Sequence, residues 1–256
     1  MSATIKQPIA LVTGMEHAGT TYLSSLIKCH PLVNGDFECG VLLAESPADF
    51  RNISPFYGWM LRAKNPKQWG ISEDKMEIIL ASQGWQEMYQ NIVRFSPLFK
   101  NGAVYLLDKT PGYLPVLNSV LKKTAAPCIV IYKKTVFQYL SYKKRNISLY
   151  DFQTRYLSYM SGLVHGMQNH PQRIFVLNYE SLLGDTLGKL RIIFRFIGLD
   201  FMEEYFASFF SEKQPGNIRP DYNLENEQSL ISNLSEEEKT VLNKISLDTS
   251  LAKLAI

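Results

Sequence analysis

Four short apolar runs punctuate the chain: "PIALVTG" (Pro8 to Gly14), "AVYLLDKTP" (Ala103 to Pro111), "PCIVIYKK" (Pro127 to Lys134) and "RIFVLNYE" (Arg173 to Glu180). The first ends in glycine, as a buried parallel strand does, and the other three are strand candidates with polar ends. Between them the apolar spacing turns helical. After Thr20, the residues Tyr22, Leu23, Leu26 and Ile27 recur at helical intervals, and Pro31 marks a stop. Further helices are predicted from the basic end of the third run through Ser141, over Phe152 to Gln168, and over "TLGKLRIIFRFIGL", which Gly198 caps. Ser235 and Glu238 stand in capping-box register and start a last helix. Residues 46–100 are rich in Trp, Tyr, Met and Pro, show no strand pattern, and are read as helices and loops forming a lid or insertion. Strands alternating with helices predict an α/β fold, a central parallel sheet flanked by helices, in a single domain over residues 1–256.

With 256 residues and 46% hydrophobic content, the chain is long enough to bury a substantial core. A net charge of +3 is mild and demands no nucleic acid partner. The clusters "YKK" (Tyr132 to Lys134) and "YKKR" (Tyr142 to Arg145) fit an anionic ligand or a solvated face. Cys29, Cys39 and Cys128 are odd in number and widely spaced, which suits neither a disulfide framework nor a zinc site. The absence of a signal peptide and of an apolar run of transmembrane length leads us to expect a cytoplasmic protein without a membrane partner. The Asn-x-Ser triplets at Asn52, Asn146 and Asn233 are then chance matches.

The candidate chemistry starts at "ALVTGMEHAGTTYL" (Ala10 to Leu23). Gly14 and Gly19 are separated by four residues and followed by Thr20 and Thr21, in the strand–loop–helix context of a phosphate-binding loop. The nucleotide-hydrolase version carries lysine where this chain has Thr20. Loop amides and a helix N-terminus bind an anion without that lysine. The strand ends add Lys109, Thr110, Lys133, Lys134, Tyr179 and Glu180 at the edge where α/β sheets bind ligands. Converging lysines would hold a second anionic group. Taken alone, the glycine loop also reads as a plain strand–helix turn.

In combination, these segments resemble the sulfotransferases that use 3′-phosphoadenosine 5′-phosphosulfate (PAPS). "HAGTT" (His17 to Thr21) is similar to their 5′-phosphosulfate loop, [Arg/Lys]-Ser-Gly-Thr-Thr. Lys133 and Ser141 in "IVIYKKTVFQYLS" match the spacing of the family's 3′-phosphate contacts, an arginine and a serine eight residues later. "VLNYESLLGDTLGKLRIIFRFIGL" (Val176 to Leu199) looks like the family's tyrosine–glutamate segment and following helix, and "LDKTPGYL" (Leu107 to Leu114) like its Lys-Thr-Pro element. The resemblance covers roughly residues 8–30 and 104–200. It implies a P-loop-like sulfotransferase fold with a helical insertion, PAPS as donor, PAP as product and no metal. Gly14, His17, Ala18, Gly19, Thr20, Thr21 and Tyr22 would bind the phosphosulfate, Lys133 and Ser141 the 3′-phosphate, and Tyr179 the adenine. The basic C-terminal loop of the family is not recognisable; Lys213 and Arg219 are its candidates.

The implied reaction is in-line sulfuryl transfer to a hydroxyl or amine, with positioning and leaving-group stabilisation doing most of the catalysis. Two residues depart from the family: His17 holds the place of a permanent cation, and Lys133 lacks the bidentate fork of arginine. Lys109 is expected to share the role of His17. Glu38 in "NGDFECG" follows the loop at the distance of the catalytic glutamate of tyrosylprotein sulfotransferases, and is the candidate base; its other reading is an exposed loop carboxylate. Asp36 and Glu45 are substitutes, His30, His165 and His170 read as structural, and Glu180 as fold-stabilising. Arg51, Arg62 and Arg94 are surface residues or anchors for an anionic acceptor. The acceptor is a small molecule, carbohydrate or peptide, and the sequence identifies neither it nor the oligomeric state. The alternatives are a PAP- or PAPS-binding protein without transferase activity and a P-loop kinase, the latter disfavoured by Thr20.

Overall fold

The computed structural model describes residues 7–61, 69–99, 101–212, 229 and 231–255. Arg62, Lys213 and Arg219 lie outside the described residues. Five parallel strands form the sheet: β1 (Ala10–Gly14), β2 (Val33–Asn34), β3 (Tyr105–Lys109), β4 (Cys128–Tyr132) and β5 (Ile174–Asn178). Their order is β2-β3-β1-β4-β5. From β1 the chain passes through α1 (Thr20–Ile27) to the β2 edge, returns as β3, and then crosses to the other side of β1 as β4. Parallel pairing puts the carboxyl ends of all five strands on one edge of the sheet, and the reversal of order beside β1 makes that edge the natural ligand crevice.

Strand alternation splits the core into two layers. On β4, Cys128, Val130 and Tyr132 pack into one cluster, while Ile129 and Ile131 pack into the other. The first cluster takes the buried faces of α4 (Trp85–Phe95), α5 (Leu117–Lys123), α6 (Thr135–Lys143) and α7 (Leu149–Asn169). The second takes α1 and α9 (Thr186–Ile197), which follows the short α8 (Tyr179–Gly184). Gly198, in the left-handed region at φ 77°, ends α9 where the sequence placed the cap. Short α10 (Ala207–Ser211) follows. Ser235 and Glu238 form the expected capping box at the start of α11 (Glu236–Ile245), and α12 (Asp248–Leu254) leads Ala255 to a parallel bridge with Val176 on the outer edge of β5. Among the described residues, no helix is long and apolar enough to cross a membrane.

Among the described residues of 46–100, α2 (Phe56–Leu61) and α3 (Glu73–Leu80) precede α4. A buried carboxylate ties it to the sheet. Asp108, fully enclosed on β3, accepts hydrogen bonds from Tyr89 on α4 (2.5 Å), from Tyr113 (2.8 Å) and from Thr110 (2.8 Å). Burial pushes its pKa up, and these hydroxyl donors oppose that rise. Thr110 Oγ1 in turn accepts from the Gly40 amide at 3.0 Å, and Tyr113 Oη accepts from the Leu42 amide at 3.2 Å. Lys123 fastens the same stretch by donating to the carbonyls of Leu42 (3.1 Å) and Ala44 (2.7 Å). The chain that leaves β2 and carries Glu38 is thereby fixed against the end of β3.

Candidate active site

The glycine loop closes the gap between β1 and α1. Gly14 approaches β4 so closely that a Cβ there would sit 2.3 Å from the Ile131 carbonyl oxygen. His17 takes a left-handed backbone at φ 65°, and Gly19 follows at φ 102° as the residue before α1. A non-glycine residue in this region is uncommon and marks a loop held by its surroundings. The first bond of the helix runs from Leu23 N to Gly19 O at 3.0 Å, so the amides of Thr20, Thr21 and Tyr22 precede the intrahelical ladder and point out of its N-terminus. Two expected contributors turn inward. Ala18 is fully buried and its amide donates to Met15 O at 3.0 Å, and the Tyr22 ring packs against Tyr179 and Phe209. For these two residues the sequence pattern does not distinguish a loop wall from a loop lining.

Lys133, Ser141 and Tyr179 meet beside this loop. Lys133 Nζ lies 3.4 Å from Ser141 Oγ and 4.7 Å from the centroid of the Tyr179 ring. The same ring covers Gly19, where an added Cβ would come within 2.3 Å of it. Partial burial pushes the Lys133 pKa down to about 8; Glu180 opposes this, while Arg145 and Lys144 add to it. Glu180 accepts from Asn178 Nδ2 at 2.6 Å and from the Lys134 amide at 3.3 Å, a bracing position in keeping with its expected structural role. Burial raises its pKa against those donors.

A second group lies at the end of β3. Lys109 Nζ stands 3.5 Å from Glu38 Oε1 and 4.7 Å from the centre of the Phe37 ring. Desolvation raises the Glu38 pKa and lowers that of Lys109, and each partner opposes the shift of the other. Glu38 is thus half-buried and paired, unlike an exposed loop carboxylate. Phe37 packs edge-on against Trp59 at 4.7 Å, and Trp59 against Phe56 at 5.1 Å, so the insertion lines this side with partly buried aromatics.

His17 is solvent-accessible, its ring edge-on to Tyr142 at 5.6 Å. Desolvation by its surroundings pushes its pKa below the ordinary value, Arg145 and Lys133 push the same way, and Glu16 opposes them. Arg145 therefore belongs to the site's electrostatics, although the sequence showed it only as the end of "YKKR". The histidines read as structural behave so for His30, which is buried with Nε2 3.0 Å from Asp200 Oδ1. His165 is exposed on α7. Arg51 and Arg94 are exposed; Arg51 pairs with Glu77 at 3.1 Å.

The model of the Sulfotransferase family matches residues 8–204. A search of curated proteins finds no match to the sequence. Among solved structures, the sulfotransferase domain of the Synechococcus PCC 7002 olefin synthase aligns with a TM-score of 0.57 at 17% identity, covering 95% of this chain and 96% of that one. The sulfotransferase domain from the curacin biosynthetic pathway gives 0.55 at 13%, covering 94% and 98%. Mouse sulfotransferase SULT7A1 complexed with PAP gives 0.51 at 12%, covering 92% and 82%. At these identities the likeness establishes the fold alone, a central parallel sheet flanked by helices.

The contact between Gly19 and Tyr179 makes a test of the loop. Gly19→Ala forces a side chain into a left-handed backbone and against the Tyr179 ring, and is expected to lower unfolding free energy by about 1–3 kcal/mol. Gly58→Ala, at a helical site where a Cβ meets nothing within 4 Å, is expected to stabilise by about 0.5–1 kcal/mol. Urea unfolding of both variants measures the contrast.

Proposed function

The chain belongs to the sulfotransferase family, and we propose that it transfers a sulfuryl group from PAPS to a hydroxyl or amine of an acceptor. The observation that carries the donor assignment is the meeting of Gly19, Lys133, Ser141 and Tyr179, brought together from three separate stretches of chain. In this reading the amides of Thr20 to Tyr22 hold the 5′-phosphosulfate, Lys133 and Ser141 the 3′-phosphate, and the Tyr179 ring the adenine. Thr20 in place of a P-loop lysine suits a donor without a γ-phosphate and disfavours a kinase.

Transfer is in line. The acceptor oxygen or nitrogen forms a bond to sulfur as the bond from sulfur to the bridging phosphate oxygen breaks, and PAP leaves with that electron pair. Glu38 takes the acceptor's proton; its raised pKa makes it a stronger base than an exposed carboxylate. His17 and Lys109 offset the charge that grows on the leaving oxygen. The acceptor, a small molecule, carbohydrate or peptide, approaches from the insertion side, against Phe37 and Trp59. Residues 46–100 form its acceptor-side cover within one sulfotransferase domain.

Transfer of labelled sulfate from PAPS to an acceptor library tests this reading. Glu38→Gln is expected to reduce kcat about 10²- to 10⁴-fold with PAP affinity retained. Sulfate transfer unchanged in this variant removes Glu38 from the base role. The pH dependence of donor binding gives a second test. Bound phosphate favours the charged amine of Lys133, so its pKa is higher in the complex than the value of about 8 in the free protein. Proton uptake by His17 governs PAP affinity at the acid end of the range, and above about 8 loss of the Lys133 proton should make affinity fall towards about tenfold per pH unit. Lys133→Arg, whose guanidinium stays charged, should abolish the fall, as calorimetry from pH 6.5 to 9.5 would show.

A further inference from the structure

Glu16, the residue before His17, is held by side chains of α6 and α7, close enough to the strand-end crevice that its charge helps to raise the Glu38 pKa. Its Oε2 accepts from Tyr142 Oη on α6 at 2.7 Å, and its Oε1 accepts from Tyr159 Oη on α7 at 2.6 Å. The Glu16 carbonyl accepts from Gln138 Nε2 on α6 at 2.6 Å. Three donors from two helices thus grip one residue of the loop. Tyr142, Tyr159 and Gln138 are all buried, and burial together with the carboxylate pushes both phenol pKa values far upward, so each remains a donor at any working pH.

This grip sits next to the left-handed turn at His17, and Tyr142 serves both residues: its hydroxyl binds Glu16 while its ring meets the imidazole edge-on. We propose that Glu16 is a positioning residue for the donor loop: clamped by Tyr142 and Tyr159, it fixes the turn at His17 and supplies the negative charge that lets a histidine serve as the loop's cation. The inference rests on the donor-site reading above. Four groups govern the imidazole. Arg145 beyond α6 and Lys133 beyond β4 disfavour its charge, Glu16 on its own loop favours it, and the Tyr142 ring on α6 packs against it. Among the groups named, the carboxylate alone favours a proton on His17 before an anionic donor arrives.

NMR titration of the imidazoles in the full chain tests the proposal, with four histidines to resolve and His17→Gln to assign the signal. Glu16→Gln keeps the shape and one acceptor oxygen, turns the other phenol's partner into an amide donor, and removes the charge. It should lower the His17 midpoint by about half to one pH unit, a shift that a purely structural role would not produce. A folded Glu16→Gln protein whose His17 titrates at the wild-type midpoint overturns the proposal. Should Glu16→Gln fail to fold, Tyr159→Phe decides it. This variant removes one clamp bond at a distance from the imidazole and should weaken PAP binding about fivefold; unchanged affinity overturns the clamp. Wild-type protein that fails to bind PAP contradicts the donor reading instead, and the His17 midpoint in the free protein still decides the role of Glu16.

Discussion

Gly19 has no Cβ, and the ring of Tyr179 occupies the space one would take. That close approach is the constraint on which the site depends. It sets the glycine loop at the end of β1 against the end of β5, and the same ring carries Lys133 from the end of β4 on its face. Loop and cation therefore share one position because a single aromatic side chain touches both. The left-handed backbone at Gly19 belongs to the same arrangement, since it turns the chain from the loop into α1 and aims the first amides of the helix at the strand ends.

Around that contact, the charged groups are held away from their ordinary ionisation. Desolvation depresses Lys133, Lys109 and His17, and raises Glu38. An anion entering the cleft reverses the penalty on the cations, so ligand binding and proton uptake are linked. Two carboxylate hubs, Asp108 buried and Glu16 partly exposed, hold the frame. Asp108 secures the insertion and the Glu38 segment from the β3 side, and Glu16 secures the loop from the α6–α7 side. Both hubs draw on tyrosine hydroxyls, which stay protonated and so give the frame little sensitivity to pH.

The sheet and most of its helices were legible because the pattern that encodes them is local. Apolar runs gave β1, β3, β4 and β5, and Gly198 and the Ser235–Glu238 box marked helix ends within a residue or two. β2 escaped because Val33–Asn34 is two residues long at a sheet edge and has no apolar run. The candidate residues at strand ends followed from the general placement of α/β sites, but their pairings did not. Glu38 and Lys109 lie 71 residues apart, and Glu16 meets Tyr142 and Tyr159 across 126 and 143 residues. A lone glutamate in a loop carries no sign of such partners. Asp108 was equally silent: within "LLDKTP" it reads as the polar end of a strand, whereas it is the most enclosed carboxylate of the fold's insertion anchor.

A glycine loop without the P-loop lysine suits a donor that ends in a 5′-phosphosulfate and carries a 3′-phosphate. Calorimetry in metal-free buffer with PAP, and separately with ATP and magnesium, distinguishes that donor from a nucleoside triphosphate. Saturable one-site binding of PAP without magnesium, and no comparable binding of ATP–Mg²⁺, is the expected result. Binding of ATP–Mg²⁺ with no affinity for PAP would contradict it.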